Sequence, residues 1–454
     1  MKMDKELASA PLGSLMLSMA IPSIIAQIIN ILYNIIDRIY IGHIPGVGAA
    51  ALTGVGLTFP IITFISAFSA FVGCGGAPLS SIWLGKGDRD HAEKILGNSV
   101  TLLILFTVIL MVVFYVFKTP FLYAFGASDS TIGYASDYIV IYLVGTIFVQ
   151  LALGLNTYIT AQNQPKIAMM TIIIGAALNI LLDPLFIFVF KWGVQGAAAA
   201  TVISQAVSAA WTLKFLTGDK ASMRIRLSNL KPDFKIIGRI CSLGISPFIM
   251  RSTESLISIV MNRGLSIYGG DLYVGSLTIM QSVMQLMSAP LGGFTQGVQP
   301  IISYNFGAGL FDRVKSTYRK MIGISTAFSL AATAAVMLFP AVFAHMFTTD
   351  AELISIVCDK MPMFMAGMLI FGIQMGIQPT FLALGQAKQS LFIAMLRKII
   401  LLVPLAIILP RFFGVDGIYY AEPISDTLSA VTAGIMFATS IKKILSKDSL
   451  EKIK

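Results

Sequence analysis

Apolar runs of roughly 20–30 residues recur from one end of the chain to the other, divided by short polar stretches and by no interval the size of a soluble domain. Twelve can be counted, at about 14–41, 52–83, 95–118, 134–161, 167–190, 195–216, 238–267, 272–304, 317–346, 353–384, 391–411 and 415–441. Each is long enough to cross about 30 Å of hydrocarbon. In that medium the backbone must satisfy its own hydrogen bonds, which leaves helices or a closed barrel. The runs lack the ten-residue alternation of barrel strands. The pattern therefore predicts an all-α membrane protein with twelve transmembrane helices. Composition agrees: hydrophobic residues make up 56% of the chain and charged ones 12%, against about 25% charged in soluble proteins, and mean hydropathy is +0.83.

The net charge of +10 would suggest an acidic partner if it were spread over a surface. Its distribution says otherwise. With both termini placed in the cytoplasm, 25 of the 32 Lys and Arg fall at cytoplasmic ends, including three at 388–398. Only Arg38, Lys118, Lys191, Arg263, Lys360 and Arg411 fall at outer ends, and Arg251 lies within a span. This is the positive-inside asymmetry, so the basic excess sets topology and implies no nucleic acid. Cys74, Cys241 and Cys358 have neither disulfide nor metal-ligand spacing and read as small core residues. The polar lead Met1–Glu6 has no cleavage pattern, so no removed signal peptide is expected.

The chain is written twice. Pro22 with Asp37-Arg38 matches Pro247 with Asn262-Arg263. Pro78, Gly85 and Gly87 match Pro300, Gly307 and Gly309, and Gln164-Pro-Lys166 matches Gln386-Ala-Lys388. Leu181-Leu-Asp-Pro184 matches Leu401-Leu-Val-Pro404, and Gly193-Val-Gln-Gly196 with Ser204 matches Gly414-Val-Asp-Gly417 with Ser425. The offsets run from 220 to 225 in order. A repeat of six spans returns each copy in the same orientation, which predicts two bundles about an axis along the membrane normal. The expected organisation is an N-terminal bundle 1–216, a cytoplasmic linker 217–237 and a C-terminal bundle 238–454.

Asp183 carries the most information. It is the only ionisable residue in the run from Thr171 to Phe190, and a carboxylate at mid-membrane depth costs about 2.5–3.5 kcal/mol even on the lenient insertion scale. Asn179 precedes it by one turn on the same face, and Pro184 loosens the backbone beside it. The first segment carries Gln27, Asn30, Asn34 and Asp37 within about 80° of arc, a polar stripe leading inward from a second carboxylate. Two carboxylates in a low-dielectric pocket cannot both stay ionised cheaply, so a proton or a sodium ion would relieve their repulsion. Asn156 in the fourth segment is a weaker candidate. In the second half, Arg251 and Glu254 read as an intrahelical ion pair or as an acidic face for a cation, and Glu422 and Asp426 as secondary acids one turn apart. Methionines cluster there (Met250, Met261, Met280, Met284, Met287, Met363, Met365, Met368, Met375), and with Gln281 they suggest a pocket wall for ligands of varied shape. Pro22 is expected to bend the first helix and act as a hinge.

The doubled Pro…Gly-x-Gly loop, Gln162-Asn-Gln-Pro-Lys166 and Gly193-Val-Gln-Gly-Ala-Ala-Ala-Ala-Thr201 together resemble the multidrug and toxic compound extrusion (MATE) transporters of the oligosaccharidyl-lipid exporter superfamily. The resemblance covers essentially the whole chain. It implies a V-shaped pair of six-helix bundles and antiport of organic cations against H+ or Na+. It also implies a coupling-cation site at Asp37, Asn179, Asp183 and Thr201, whose hard oxygen donors suit a proton or Na+, and a functional acid in the seventh helix, matched by Glu254. The sodium-coupled branch has an Asp in the tenth helix, where this chain offers only Gln374 and Gln378. Asn262 and Val403 stand at the repeat-mates of Asp37 and Asp183, so the ion site is not duplicated.

The expected function is efflux of amphipathic cationic drugs or dyes, driven by inward cation flow through the plasma membrane. The chain is expected to work as a monomer among membrane lipids and without a cofactor beyond the coupling ion. Export or flipping of a lipid-linked or metabolite substrate is the alternative; it would call for basic residues in the cavity, where Arg251 alone is a thin supply. Enzymatic function is not expected: His43, His91 and His345 lie in or near loops, and there is no HExxH, Gly-x-Ser-x-Gly or paired Asp-rich motif.

Overall fold

The computed structural model describes residues 2–446 and 450, and among them there is no strand. The helices are α1 (Lys2–Ser9), α2 (Leu12–Gly42), α3 (Gly48–Gly85), α4 (Arg89–Ala124), α5 (Ile132–Val144), α6 (Thr146–Ala161), α7 (Pro165–Pro184) and α8 (Gly193–Thr217). After the linker come α9 (Phe234–Tyr268), α10 (Asp271–Gly307), α11 (Phe311–Leu338), α12 (Pro340–His345), α13 (Ala351–Met365), α14 (Met368–Ala383), α15 (Ala387–Met395), α16 (Val403–Ile408), α17 (Pro410–Phe413) and α18 (Val415–Ile444). Length and composition pick out seven membrane spans, and the bent pairs α5–α6 and α13–α14 make nine. The more polar α8, α9 and α10, each 25 residues or longer, bring the number to twelve.

The repeat seen in the sequence returns as backbone conformation. The bent pairs are the fourth span of each half, broken at Gly145 and at Ala366-Gly367. A Cβ at Gly145 would strike Val202, and one at Gly367 would strike Pro423, so each break lets its neighbour approach. The fifth span of each half contains a π-helical stretch, Leu185–Val189 and Leu396–Leu402. The first follows Pro184, whose missing N–H interrupts the α-helical ladder.

The linker is fastened to the first bundle. Asp233 N–H donates to Asn98 at 2.7 Å, Met223 N–H donates to Gln162 at 3.0 Å, and the Thr101 hydroxyl donates to the Leu230 carbonyl at 2.7 Å. Buried Glu93 accepts from Arg89 and from the Arg224 N–H, at 3.0 and 3.2 Å. It also contacts Arg226 at 2.7 Å, an ion pair too oblique to count as a hydrogen bond. Because both guanidinium groups are about half exposed, solvent screens these pairs, and Glu93→Ala should cost only about 1–2 kcal/mol. It should show as a lowered Tm and faster tryptic cleavage at Lys220 or Arg226; an unchanged cleavage rate would mean that Glu93 does not hold the linker.

The bundles meet along α2–α10 and α3–α9 through residues near their cytoplasmic ends. Here backbone lies on backbone. A Cβ at Gly75 or Gly244 would enter the opposing α9 or α3, one at Gly85 or Gly307 the facing α10 or α3, and one at Gly293 or Gly297 the backbone of α2 near Pro22. Small residues that let helices approach this closely are the usual means of association where lipid removes the hydrophobic drive. Above this seam, Phe248 of α9 packs edge-on against Phe64, Phe68 and Phe71 of α3, with ring centroids 4.9–5.9 Å apart. Gln27 donates to Gln296 across the interface at 3.0 Å. Both ends of the chain also cross over. Arg313 and Asn305 of the second half donate to the carbonyls of Leu7 and Ala10, at 2.6–3.0 Å, and Lys86 of the first half donates to the Leu450 carbonyl at 3.0 Å.

Candidate cation site

α7 presents Asn179 and Asp183 one turn apart, both buried. The Asn179 amide donates to Asp183 Oδ1 at 3.2 Å and to Thr201 Oγ1 of α8 at 3.3 Å. Asp37 of α2 brings its carboxyl within hydrogen-bonding reach of Asp183. The four residues singled out from sequence therefore converge. Asp37 Oδ1, Asp183 Oδ2 and Asn179 Oδ1 are buried acceptors with no donor. Buried oxygens left in this way carry a desolvation cost of about 1–3 kcal/mol each, and a proton or small cation would remove it. Arg38 does not serve: its guanidinium lies over the Phe59 ring, 4.4 Å from the centroid.

A narrow cleft runs along this site toward the cytoplasmic half of α7 and α8. Its polar lining includes Asn30, Tyr33, Asn156, Thr171, Gln205 and Ser208. Asn156 donates to the Ala168 carbonyl at 3.2 Å and leaves its own amide oxygen buried without a donor. Asn34 turns away and donates to the Asn30 carbonyl at 2.5 Å. The sequence analysis missed Tyr138, which is buried beside Thr201 with its hydroxyl in hydrogen-bonding contact. Its only signal was Tyr142 one turn on, and the two rings stack 6.3 Å apart.

Two copies of the MatE family profile match the chain, over residues 22–185 and 248–408. The chain belongs to the MatE family. Relatives include the multidrug export protein MepA of Staphylococcus haemolyticus, 25% identical over 434 residues that span 95% of this chain and 94% of the relative. MepA of Staphylococcus aureus is 24% identical over 98% of this chain and 97% of its own. Among solved structures, the outward-facing conformation of a multidrug resistance MATE transporter superposes with a TM-score of 0.91 at 22% identity, over 98% of this chain and 99% of that one. A superfamily transporter from Pyrococcus furiosus, described as having a binding pocket of reversed polarity, gives 0.90 at 22% identity over the same shares. This chain thus has the MATE fold, two six-helix bundles of a multi-pass plasma-membrane protein, in a family of transporters.

The second MatE copy corrects several expectations. Arg397 and Lys398, counted among the cytoplasmic basic residues, are buried in the π-helical stretch ten residues or more inside their span, so Arg251 is not the sole basic residue within the membrane. Glu254 pairs with Lys398 at 2.9 Å rather than with Arg251. Glu422 is not hydrated. It and Asp426 are buried and hold Arg397 at 3.3 and 2.6 Å, with the guanidinium stacked 4.2 Å from the Phe371 centroid. These two acids therefore share one guanidinium. Met261, Met280, Met365 and Met368 are core filler, while Met284, Met287, Met363 and Met375 stay partly buried around that core, with Gln281 half-buried near them. The three cysteines are free and half-buried. Pro22 is buried within α2, where the α10 glycines press on that helix.

Proposed function

We propose that this MatE-family chain exports amphipathic organic cations by exchange with inward H+ or Na+, working as a monomer by alternating access. The observation that carries this reading is the donorless set of buried oxygens at Asp37, Asn179 and Asp183. The coupling ion is cargo, and these residues with Thr201 would hold it. Asp37 and Asp183 sit on two helices, α2 and α7, so loading the pair draws them together, and unloading restores the repulsion. That gives the ion a different affinity for different helix arrangements, which is the requirement for coupling. Pro22 is where α2 would absorb the change. We further read 1–216 and 238–454 as the moving bodies, with 217–237 riding on the first through its contacts to Glu93, Asn98 and Gln162. The MepA relatives, by name multidrug exporters, support a drug-like cargo.

Flipping of a lipid-linked phosphate is disfavoured by charge. Within the second bundle Arg251, Arg397 and Lys398 face Glu254, Glu422 and Asp426, three positive against three negative, which leaves no surplus for an anion. The test is dye efflux from proteoliposomes with a pH gradient or a sodium gradient imposed separately. Export driven by either gradient is the expected result; equilibration indifferent to both would overturn the antiport.

A further inference from the structure

On α9 four faces can be told apart at 100° per residue. Gly244 and Phe248 press on α3 of the first bundle. Ile257 and Met261 are buried in the core of the second. Leu256 and Ile267 are apolar and exposed, as on a lipid side. Arg251 and Glu254 occupy the remaining face, opposite the lipid side, which is the wall of the cleft between the bundles. The Glu254 side chain is 56% exposed there, whereas that of Lys398, its partner at 2.9 Å, is only 4% exposed. Lys398 reaches the cleft wall from behind, through the bundle. Beside it Arg397 is already engaged by Asp426 and Glu422.

We propose that Lys398 is a tethered counter-cation occupying Glu254, which makes this wall selective for ligands carrying both a cationic group and a carboxylate. Resting on the reading of the cleft as an export pathway, the proposal names which substrates the second bundle prefers. A monocation that takes Glu254 removes the ion-pair partner of the Lys398 ammonium and leaves it buried beside only Glu422, which Arg397 already contacts, a costly state in a low-dielectric interior. A zwitterion supplies the missing carboxylate as it takes Glu254, so both protein charges stay paired. The wall therefore discriminates by what it would leave unpaired rather than by attraction. Replacing Lys398 with a neutral residue leaves the six-charge cluster one positive charge short, and a monocationic ligand then fills the vacancy.

The test uses the full chain in detergent or nanodiscs, without any gradient, at mildly alkaline pH. The probes are a zwitterionic rhodamine with its free carboxylate and the methyl ester of the same dye, a monocation. The wild type should bind the free acid more tightly than the ester. Lys398→Gln should strengthen ester binding about tenfold and reverse the order, and Lys398→Arg should keep the wild-type order. Glu254→Gln, which retains Lys398, should shift the preference further toward the free acid, and it serves as the test if Lys398→Gln does not fold. An unchanged ratio of the two affinities in a folded Lys398→Gln protein, or a shift of Glu254→Gln toward the ester, would overturn the proposal. Failure of the export reading would look different: neither dye would move with a gradient in liposomes, whatever the binding ratio.

Discussion

Asp183→Asn is expected to reduce gradient-driven efflux to the level of empty liposomes while leaving insertion and folding intact. Asn keeps the size of the side chain and can still contact Asn179, so the bundle loses little packing. What disappears is the group able to exchange a cation and the electrostatic demand that Asp37 makes on it. Exchange of one coupling cation for one cationic dye moves no net charge, so the imposed ion gradient is the drive: each factor of ten supplies about 1.4 kcal/mol, enough for up to roughly tenfold accumulation. A transporter that no longer binds the cation loses that whole factor and can only equilibrate its cargo. Asp37→Asn should behave the same way, and the double substitution should be no worse than either alone, because the two carboxyls act as one site. Dye accumulation ratios measured beside a no-gradient control decide it. Full accumulation in both single variants would remove the site from the mechanism.

The second large effect concerns the glycine seam. Gly244→Leu places a branched side chain where Phe71 of α3 presents its backbone. Overpacking of side chains costs about 1–3 kcal/mol, and here the obstacle is main chain, which cannot change rotamer. The bundles should therefore fail to close on the cytoplasmic side. Cys74 reports this state, since it lines a narrow cleft between α3, α6 and α10. With Cys241 and Cys358 replaced by Ser, a membrane-impermeant maleimide applied from the cytoplasmic side should label Cys74 much faster in Gly244→Leu than in the parent, and efflux should fall with it. Equal labelling rates together with normal efflux would show that closure does not need this contact.

Much of this was legible in the residues. The repeat offsets foretold the paired loop glycines, and Gly87 and Gly309 share a positive φ because each closes the same turn, whereas the bends of the fourth spans had no counterpart among the repeat matches. Asp37, Asn179 and Asp183 stood out because an acid or amide in an apolar run is conspicuous and helical spacing puts Asn179 and Asp183 on one face; Thr201, on another helix, joined them through the family resemblance. Tyr138 could not, since a tyrosine in a membrane helix is ordinary and only the tertiary packing brings it to Thr201. Arg397 and Lys398 were misplaced for a different reason. Near the start of an apolar run, a basic residue reads as one that snorkels to the surface. The span begins earlier, at Ala387, so these residues lie about 15 Å deep at 1.5 Å per residue. No local pattern links Arg397 to the acids of α18, or Lys398 to Glu254 of α9.

The crossing of the N-terminus has a mechanical corollary. α1 hangs on the second bundle through Arg313 and Asn305, yet α2 is the first helix of the other bundle, and only Ala10 and Pro11 join them. Two residues span at most about 7 Å. While α1 keeps its grip, that short leash caps the stroke of the machine at its inner gate, and any wider excursion must begin by letting go of the anchor.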